Sequence, residues 1–120
     1  NDIKNLNISE KEWNLIKNNV ESYKNIEELL DIVRRKRVEI KPSKEFVKLL
    51  MNNIDDIKNL DFESYIELLI EKDNKLSKKD IFMNTRYILT GNNNGPSVKE
   101  LYLFFGADGI ERILNESKTL

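Results

Sequence analysis

Two stretches of the sequence carry residue types whose spacing could do chemistry. In Lys75-Leu76-Ser77-Lys78-Lys79, closely spaced ammonium groups could close over the phosphates of a nucleotide. In the loop from Gly91 to Pro96, "GNNNGP", glycine allows another molecule to approach the backbone closely. The first stretch would suit an enzyme that uses a nucleotide, and the second would suit recognition of an unpaired base.

The composition excludes several kinds of catalytic site. The 120 residues include no histidine and no cysteine. Histidine-based nucleophilic triads, thiolate metal sites and disulfides are therefore excluded, and we expect neither a metal nor a cofactor in this chain. The carboxylate pairs Asp55-Asp56 and Glu27-Glu28 have the spacing of a helix surface and lack the isolation that acid–base chemistry requires.

The charge balance limits the partners that the chain can have. The formal net charge is -1 at pH 7, so indiscriminate binding of polyphosphates is not expected and any contact with nucleic acid must be local. No apolar run approaches the ~20 residues that a transmembrane helix needs. We therefore expect a cytoplasmic protein without membrane contact. The start at Asn1, together with the missing catalytic chemistry, suggests a piece of a longer protein.

Apolar periodicity predicts an all-α fold over residues 1–120, a bundle of about six to seven helices that could form two small lobes. Capping signals at Ser9, Asn25 and Asp61 indicate helix starts, although the segments after Ser9 and Asn25 could be one continuous helix. Gly106 has the position of a left-handed helix stop. A soft lobe boundary is expected near residues 72–77. Residues expected to face the core include Trp13, Ile16, Val20 and Tyr23, then Phe46, Leu49, Leu50, Ile54 and Ile57 on one apolar face, and later Ile81, Phe82, Ile88 and Leu89.

The lysine stretch resembles the mobile K-x-S-K loop with which class I aminoacyl-tRNA synthetases steady ATP. In that family the loop follows a nucleotide-binding βαβ sheet with a Gly-rich phosphate turn and a histidine-bearing signature, and this sequence has none of these before Lys75. We therefore interpret the stretch as a solvated turn before a helix, with Ser77 as the N-cap. The alternative is an enzyme that uses Lys75, Lys78 and Lys79 on a nucleotide.

A longer resemblance covers residues 76–114, "LSKKDIFMNTRYILTGNNNGPSVKELYLFFGADGIERIL". This segment is similar to the C-terminal end of bacterial-type glutamyl-tRNA synthetase, the class I glutamate–tRNA ligase, where L-T-G, a short loop and G-P precede two apolar helices. The matching residues are Lys79, Phe82, Met83, Arg86, Leu89, Thr90, Gly91, Gly95, Pro96, Leu101, Phe105, Gly106 and Arg112. Residues 16–33 resemble an upstream helix of that family more weakly. The sequence departs from the family at Asn84-Thr85, at Asn94, and at Asn19, where relatives carry an arginine.

The resemblance implies a non-catalytic anticodon-binding region, which would hold tRNA(Glu) while a separate ATP- and Mg-dependent catalytic domain of the same enzyme joins glutamate to the tRNA. The resemblance also implies that Gly95, Pro96 and Val98 contact anticodon bases. Residue chemistry favours the same positions, because glycine permits close approach, proline fixes the backbone direction and valine offers an apolar surface to a base. The unpaired amides of residues 97–99 are expected to point outward from a helix N-terminus.

The densest basic run supplies the candidate contacts to the RNA backbone: Arg34, Arg35, Arg37 and Lys41. The same run could instead be the solvated face of a helix. Arg86 lies between apolar neighbours, which favours a structural pairing with an acidic residue. The alternative function is a helical protein–protein interaction domain that does not bind RNA, which the near-neutral charge favours.

Overall fold

The structure, a computed structural model, describes residues 7–118, and the side chains as far as residue 116. This part of the chain is all-α, as predicted, with seven helices and no strand. The helices are α1 (Glu10–Ile16), followed by a 3-10 turn (Lys17–Asn19), α2 (Tyr23–Val33), α3 (Lys44–Asn52), α4 (Ile54–Ile57), α5 (Phe62–Lys72), α6 (Lys78–Leu89) and α7 (Val98–Lys118). No helix in the described residues has the length and apolar character needed to cross a membrane.

Short polar side chains begin most of these helices, and the sequence predicted three of the N-caps. Ser9, Asp61 and Ser77 each accept a hydrogen bond from the backbone amide three residues later. The prediction for α2 was wrong: its N-cap is Ser22, whose hydroxyl accepts from the Asn25 amide. Asn25 lies one turn inside the helix, where its side chain accepts from the backbone of Glu21. Because this cap interrupts the chain after the 3-10 turn, α1 and α2 are two separate helices.

Two interruptions shape the later helices. Gly106 has φ 69 and ψ 174, so α7 consists of two helical segments that meet at this glycine, and the predicted break is confirmed. The apolar face from Phe46 to Ile57 does not belong to one continuous helix, because Asn53 leaves helical geometry between α3 and α4. The Asn53 side chain donates to the carbonyl of Leu49 at 2.8 Å and so competes with the backbone ladder.

One hydrophobic core joins the helices on both sides of the turn at residues 73–77. Leu69 of α5 and Ile81 of α6 are both fully buried in the same cluster. Within it, the Tyr65 hydroxyl lies 2.7 Å from Thr85 Oγ1, which satisfies two buried polar groups. Two residues predicted to face inward are exposed: Tyr23 (47%), and Phe82 (38%), whose ring still meets Phe62 edge-on.

Candidate functional site

The loop after α6 is fixed by a segment that lies far away in the sequence. Gly91 has φ 67, and its carbonyl accepts hydrogen bonds from the backbone amides of Glu39 and Ile40, both at 2.9 Å. A Cβ atom added to Gly91 would lie 2.6 Å from Val38 Cγ1 and 2.8 Å from Val38 Cα. Residues 38–40, the strap, therefore cross directly over Gly91, and only glycine fits beneath them.

Arg86, in the last turn of α6, also contacts this loop. Its guanidinium Nη1 donates to the carbonyl of Asn94 at 3.5 Å, and burial lowers the pKa of this arginine. The expected pairing with an acidic side chain is replaced by this contact with the backbone. Inside the loop, the side chain of Asn92 accepts from the Asn94 amide at 3.0 Å, and the Tyr87 hydroxyl donates to Asn93 Oδ1 at 2.9 Å. The loop conformation is thus held from several directions.

The three residues predicted to contact a base differ in their exposure. Gly95 is partly exposed and has φ 114, and a Cβ atom there would lie 3.2 Å from Ile32 Cγ2. Pro96 is buried, and Val98 is 6% exposed. The Val98 side chain packs in the core at the start of α7, so it does not present the apolar surface to solvent that the sequence led us to expect.

The first turn of α7 is also capped from within the chain. The Ser97 amide donates to Glu100 Oε1 at 3.3 Å, and the Glu100 amide donates to Ser97 Oγ at 3.2 Å. Two of the amides at this helix start therefore already have partners, and the Ser97 amide is not unpaired as expected. The Glu100 carboxylate also places negative charge at the end of the helix that would otherwise attract an anion.

A cleft of about 420 Å³ lies between this loop, the strap and α2. Its lining is predominantly polar, with two buried apolar side chains among the lining residues. The lining residues are Asn19, Asn25, Glu28, Leu29, Ile32, Arg37, Glu39, Asn92, Asn94 and Gly95. The fold thus brings together three positions that the sequence singled out separately: Asn19 from the upstream segment, Arg37 from the basic run, and Gly95 from the loop.

The chemistry of the cleft is that of mixed hydrogen bonding rather than of polyanion binding. Asparagine amides offer both donors and acceptors, and the carboxylates of Glu28 and Glu39 accept only. Arg37 is exposed, and its Nε lies 3.6 Å from a carboxylate oxygen of Asp31, so its charge is partly compensated. No group of three or more acidic side chains in residues 7–118 is arranged to hold a metal ion. This set of groups matches the edge of a planar base better than a chain of phosphates.

Arg34, at the start of the basic run, is engaged inside the fold. Its Nε and Nη2 donate to the two carboxylate oxygens of Glu12 at 2.7 and 3.0 Å, and Nη2 also donates to the carbonyl of Asn7. The hydrogen bond from the Arg34 guanidinium lowers the pKa of Glu12 from 4.5 to about 2. This fork-shaped pair ties the start of α1 to the end of α2.

Arg35 is likewise turned toward the protein. It has φ 60, and its Nη1 donates to the carbonyls of Ile88 and Leu89 in the last turn of α6. Burial lowers the pKa of Arg35, and the cation lies where the helix dipole favours it. Of the four predicted contacts to an RNA backbone, Arg37 and Lys41 are therefore the exposed ones, and Lys41 lines a different depression from the cleft.

The lysine stretch forms an exposed turn between α5 and α6. Ser77 and Asp80 make a reciprocal capping box, in which the Asp80 amide donates to Ser77 Oγ at 3.0 Å and the Ser77 amide donates to Asp80 Oδ2 at 3.2 Å. The predicted structure, a pre-helix turn with Ser77 as N-cap, is confirmed. Lys75, Lys78 and Lys79 are all exposed.

Sequence reasoning missed the strap and the two carboxylates of the cleft. The glycines of the loop from Gly91 to Pro96 predicted that another molecule approaches the backbone, and the sequence did not identify the segment that covers Gly91. The strap lies about fifty residues earlier, at Val38, Glu39 and Ile40, and no local pattern there indicates a contact with Gly91. Glu28 was interpreted as half of an ordinary helix-surface pair with Glu27, and Glu39 had no signal beyond its charge.

Comparison with known proteins gives a distant but consistent match. The chain is 27% identical over 100 residues to glutamate–tRNA ligase 1 of Wolbachia sp. subsp. Brugia malayi (strain TRS), which covers 82% of this chain and 22% of that ligase. It is 26% identical over 110 residues to glutamate–tRNA ligase 1 of Wolbachia pipientis subsp. Culex pipiens (strain wPip), covering 90% of this chain and 24% of the ligase. The chain thus spans about a quarter of the length of these curated relatives. No protein-family model and no solved structure matches it. The similarity indicates a domain related to tRNA synthetases.

Proposed function

We propose that this chain is a tRNA-recognition domain of a glutamate–tRNA ligase and that its cleft binds the anticodon loop of tRNA(Glu). The observation that carries the proposal is the meeting of Asn19, Arg37 and Gly95 around one polar cleft. The similarity to two glutamate–tRNA ligases over most of this chain supports it. In this proposal the chain makes and breaks no bonds, because ATP, Mg and the amino acid belong to a catalytic domain of the parent enzyme.

The cleft would read bases by their hydrogen-bonding edges. Unpaired bases in an RNA loop can be turned outward and recognised through donors and acceptors of fixed direction. Asn94 has an exposed side chain while its backbone is held by Arg86 and Asn92, so its amide is available without loss of the loop structure. Gly95 would allow a base to approach the backbone, whereas Pro96 and Val98 would act from the interior by fixing the position of Gly95.

Arg37 would supply the phosphate contact at this site. It is exposed and lies on the rim of the cleft, and its pairing with Asp31 is long enough to yield to a phosphate. Arg34 and Arg35 are not assigned an RNA contact, because both are occupied by groups of the protein. A phosphate contact steadies the RNA but carries no sequence information, so Arg37 would contribute equally to every tRNA.

The test is binding of the full chain to a tRNA(Glu) transcript and to the same transcript with an exchanged anticodon, measured by filter binding at several salt concentrations. Wild-type protein should prefer the cognate transcript. Asn94→Ala should weaken cognate binding by about tenfold and reduce the preference, since a well-made base contact is worth on the order of 1 to 3 kcal/mol. Asn18→Ala is the matched control, because Asn18 is exposed next to the cleft residue Asn19 but does not line the cleft.

Arg37→Ala separates the two kinds of contact in the same assay. The substitution should lower the affinity for both transcripts by the same factor. It should also reduce the slope of log affinity against log salt concentration by about one. Equal affinity of wild-type protein for the two transcripts would remove the anticodon assignment. An effect of Asn18→Ala as large as that of Asn94→Ala would show that the cleft is not the contact surface.

A further inference from the structure

A second depression, the basic-rimmed groove, lies on the other side of the strap. Its volume is about 730 Å³, within the range of pockets that hold a ligand or a few side chains of a partner. Its lining is mostly apolar, with a floor that includes Val38, Ile40, Val47, Ile88 and Leu114. Val38 is 46% exposed on this surface although it is an aliphatic residue. A concave, mostly apolar surface with a few polar groups is a candidate binding site.

The charged residues in the lining of the groove are all cations. Arg35 is occupied by the carbonyls of Ile88 and Leu89, but Lys41, Lys44 and Lys48 are exposed. None of the salt bridges among the described residues involves these three lysines. The rim therefore presents a row of ammonium groups beside an aliphatic floor.

Lys44 occupies a position that helix physics disfavours. It is the first residue of α3, directly after the N-cap Ser43, where the partial positive charge of the helix end repels a cation. An acidic residue would stabilise this position instead. An anionic partner beside Lys44 would relieve this repulsion.

We propose that this groove docks an amphipathic helical segment of another protein, with aliphatic side chains on the floor and carboxylates against Lys41, Lys44 and Lys48. An acidic peptide satisfies both features of the site, because its apolar face can fill the groove while its charges meet the rim. Single-stranded RNA fits the floor less well, since stacking on bases requires aromatic rings. Tyr87 is the aromatic residue of the lining, and its hydroxyl is held by Asn93.

The proposal is tested with three fluorescent probes and the full chain. The first is a synthetic helical peptide of leucine, alanine and glutamate, the second replaces every glutamate with lysine, and the third is an oligouridylate. Fluorescence anisotropy should show binding of the acidic peptide and at least about tenfold weaker binding of the basic one, as two or three rim charges would require. Equal binding of the two peptides would overturn the proposal.

Two charge reversals at exposed positions locate the contact. The double variant Lys44→Glu with Lys48→Glu should bind the acidic peptide about tenfold more weakly, or weaker still. Lys72→Glu with Lys75→Glu is the matched control, because it makes the same charge change at exposed lysines outside the groove and should leave the affinity within about twofold. Circular dichroism checks that both double variants remain folded.

The same variants separate this inference from the anticodon proposal. Binding of the tRNA(Glu) transcript should be changed equally by the two double variants, since both add the same negative charge to the protein. If Lys44→Glu with Lys48→Glu instead abolishes oligouridylate or tRNA binding selectively and leaves the acidic peptide unaffected, the rim is an RNA surface and the docking proposal fails. Loss of anticodon preference in the cleft variants would not alter the expected result for the peptide.

Discussion

The two turns that flank α6 are held in different ways. The turn at residues 73–77 is exposed and is fixed by local hydrogen bonds between Ser77 and Asp80. The loop at residues 90–97 contains four buried residues, Thr90, Gly91, Asn92 and Pro96. Its distant contacts come from the side chain of Arg86 and from the strap at residues 38–40.

This difference bears on how specific the two sequence resemblances are, the one at the lysine turn and the one at the loop after α6. The lysine turn matches the letters of an enzyme motif, yet the hydrogen bonds that fix it are local, and its contact with the core comes from Leu76. A capping box needs only a short polar residue and an acidic residue three positions later, so such letters recur by chance. The loop after α6 requires particular residues because distant atoms press against it. A match there to the glutamate–tRNA ligase pattern is correspondingly more specific.

The largest expected effect comes from Gly91→Ala. The new Cβ atom would collide with Val38, including its backbone Cα at 2.8 Å, and the residue would keep a positive φ. We expect a loss of about 4 kcal/mol in the free energy of unfolding, measured by urea titration. Gly106→Ala is the control for backbone strain alone, because φ is 69 there and no atom lies within 4 Å of the added Cβ. If the two variants lose equal stability, the strap does not hold the loop.

A smaller loss of stability is expected when the ion pair between Glu12 of α1 and Arg34, which precedes the strap, is broken. Glu12→Gln removes the charge from the pair with Arg34 and should cost about 2 kcal/mol near neutral pH. The pKa of Glu12 is about 2 in the folded protein and 4.5 ordinarily, so the contribution of the pair is complete above pH 4.5 and is lost as pH falls to about 2. Urea titrations at pH 7, 4 and 2 should show the difference between variant and wild type shrinking toward zero. A constant difference would mean that Arg34 does not lower this pKa.

Ser77→Ala should have a smaller effect, because it removes a cap and nothing else. We expect about 1 kcal/mol of destabilisation, the usual cost of losing a serine N-cap. The measurement is again a urea titration, with Ser77→Thr as a conservative variant that should restore most of the stability. A loss comparable to that of Gly91→Ala would break the contrast between the two turns.

The smallest effect is expected from Lys75→Ala combined with Lys79→Ala. Both side chains are exposed, so stability should change by less than about 0.5 kcal/mol. The double variant also tests the enzyme alternative from the sequence. Calorimetric titration of wild-type protein with ATP should show no binding that depends on these lysines, and binding abolished by the double variant would restore the nucleotide-binding interpretation.

Much of the helical framework could be predicted, because its signals are local. The N-caps Ser9, Asp61 and Ser77 and the break at Gly106 were predicted from residue type and spacing. The misplaced cap at Asn25 shows the limit of that approach. Asn25 and Ser22 are both good N-cap residues, and their choice depended on how the chain leaves the preceding 3-10 turn.

The hydrogen-bonding partners of the long arginine side chains could not be predicted. Arg34 and Arg35 are adjacent in a basic run, yet one pairs with Glu12 and the other donates to the end of α6. Which partner a long cation reaches depends on the packing of helices around it, and charge density alone does not encode that geometry. The same holds for Arg86, whose partner is the carbonyl of Asn94 rather than a carboxylate.

The sequence by itself determined the all-α class, three of the helix starts and the exclusion of histidine and thiolate chemistry. These properties follow from residue types or from contacts within one helical turn, so neighbouring letters contain them. Tertiary structure alone decided what covers Gly91, which arginines stay exposed, and that Asn19, Arg37 and Gly95 meet at one cleft. The Arg35 contact with Ile88 spans 53 residues, and only the packing of the whole core can set such a distance.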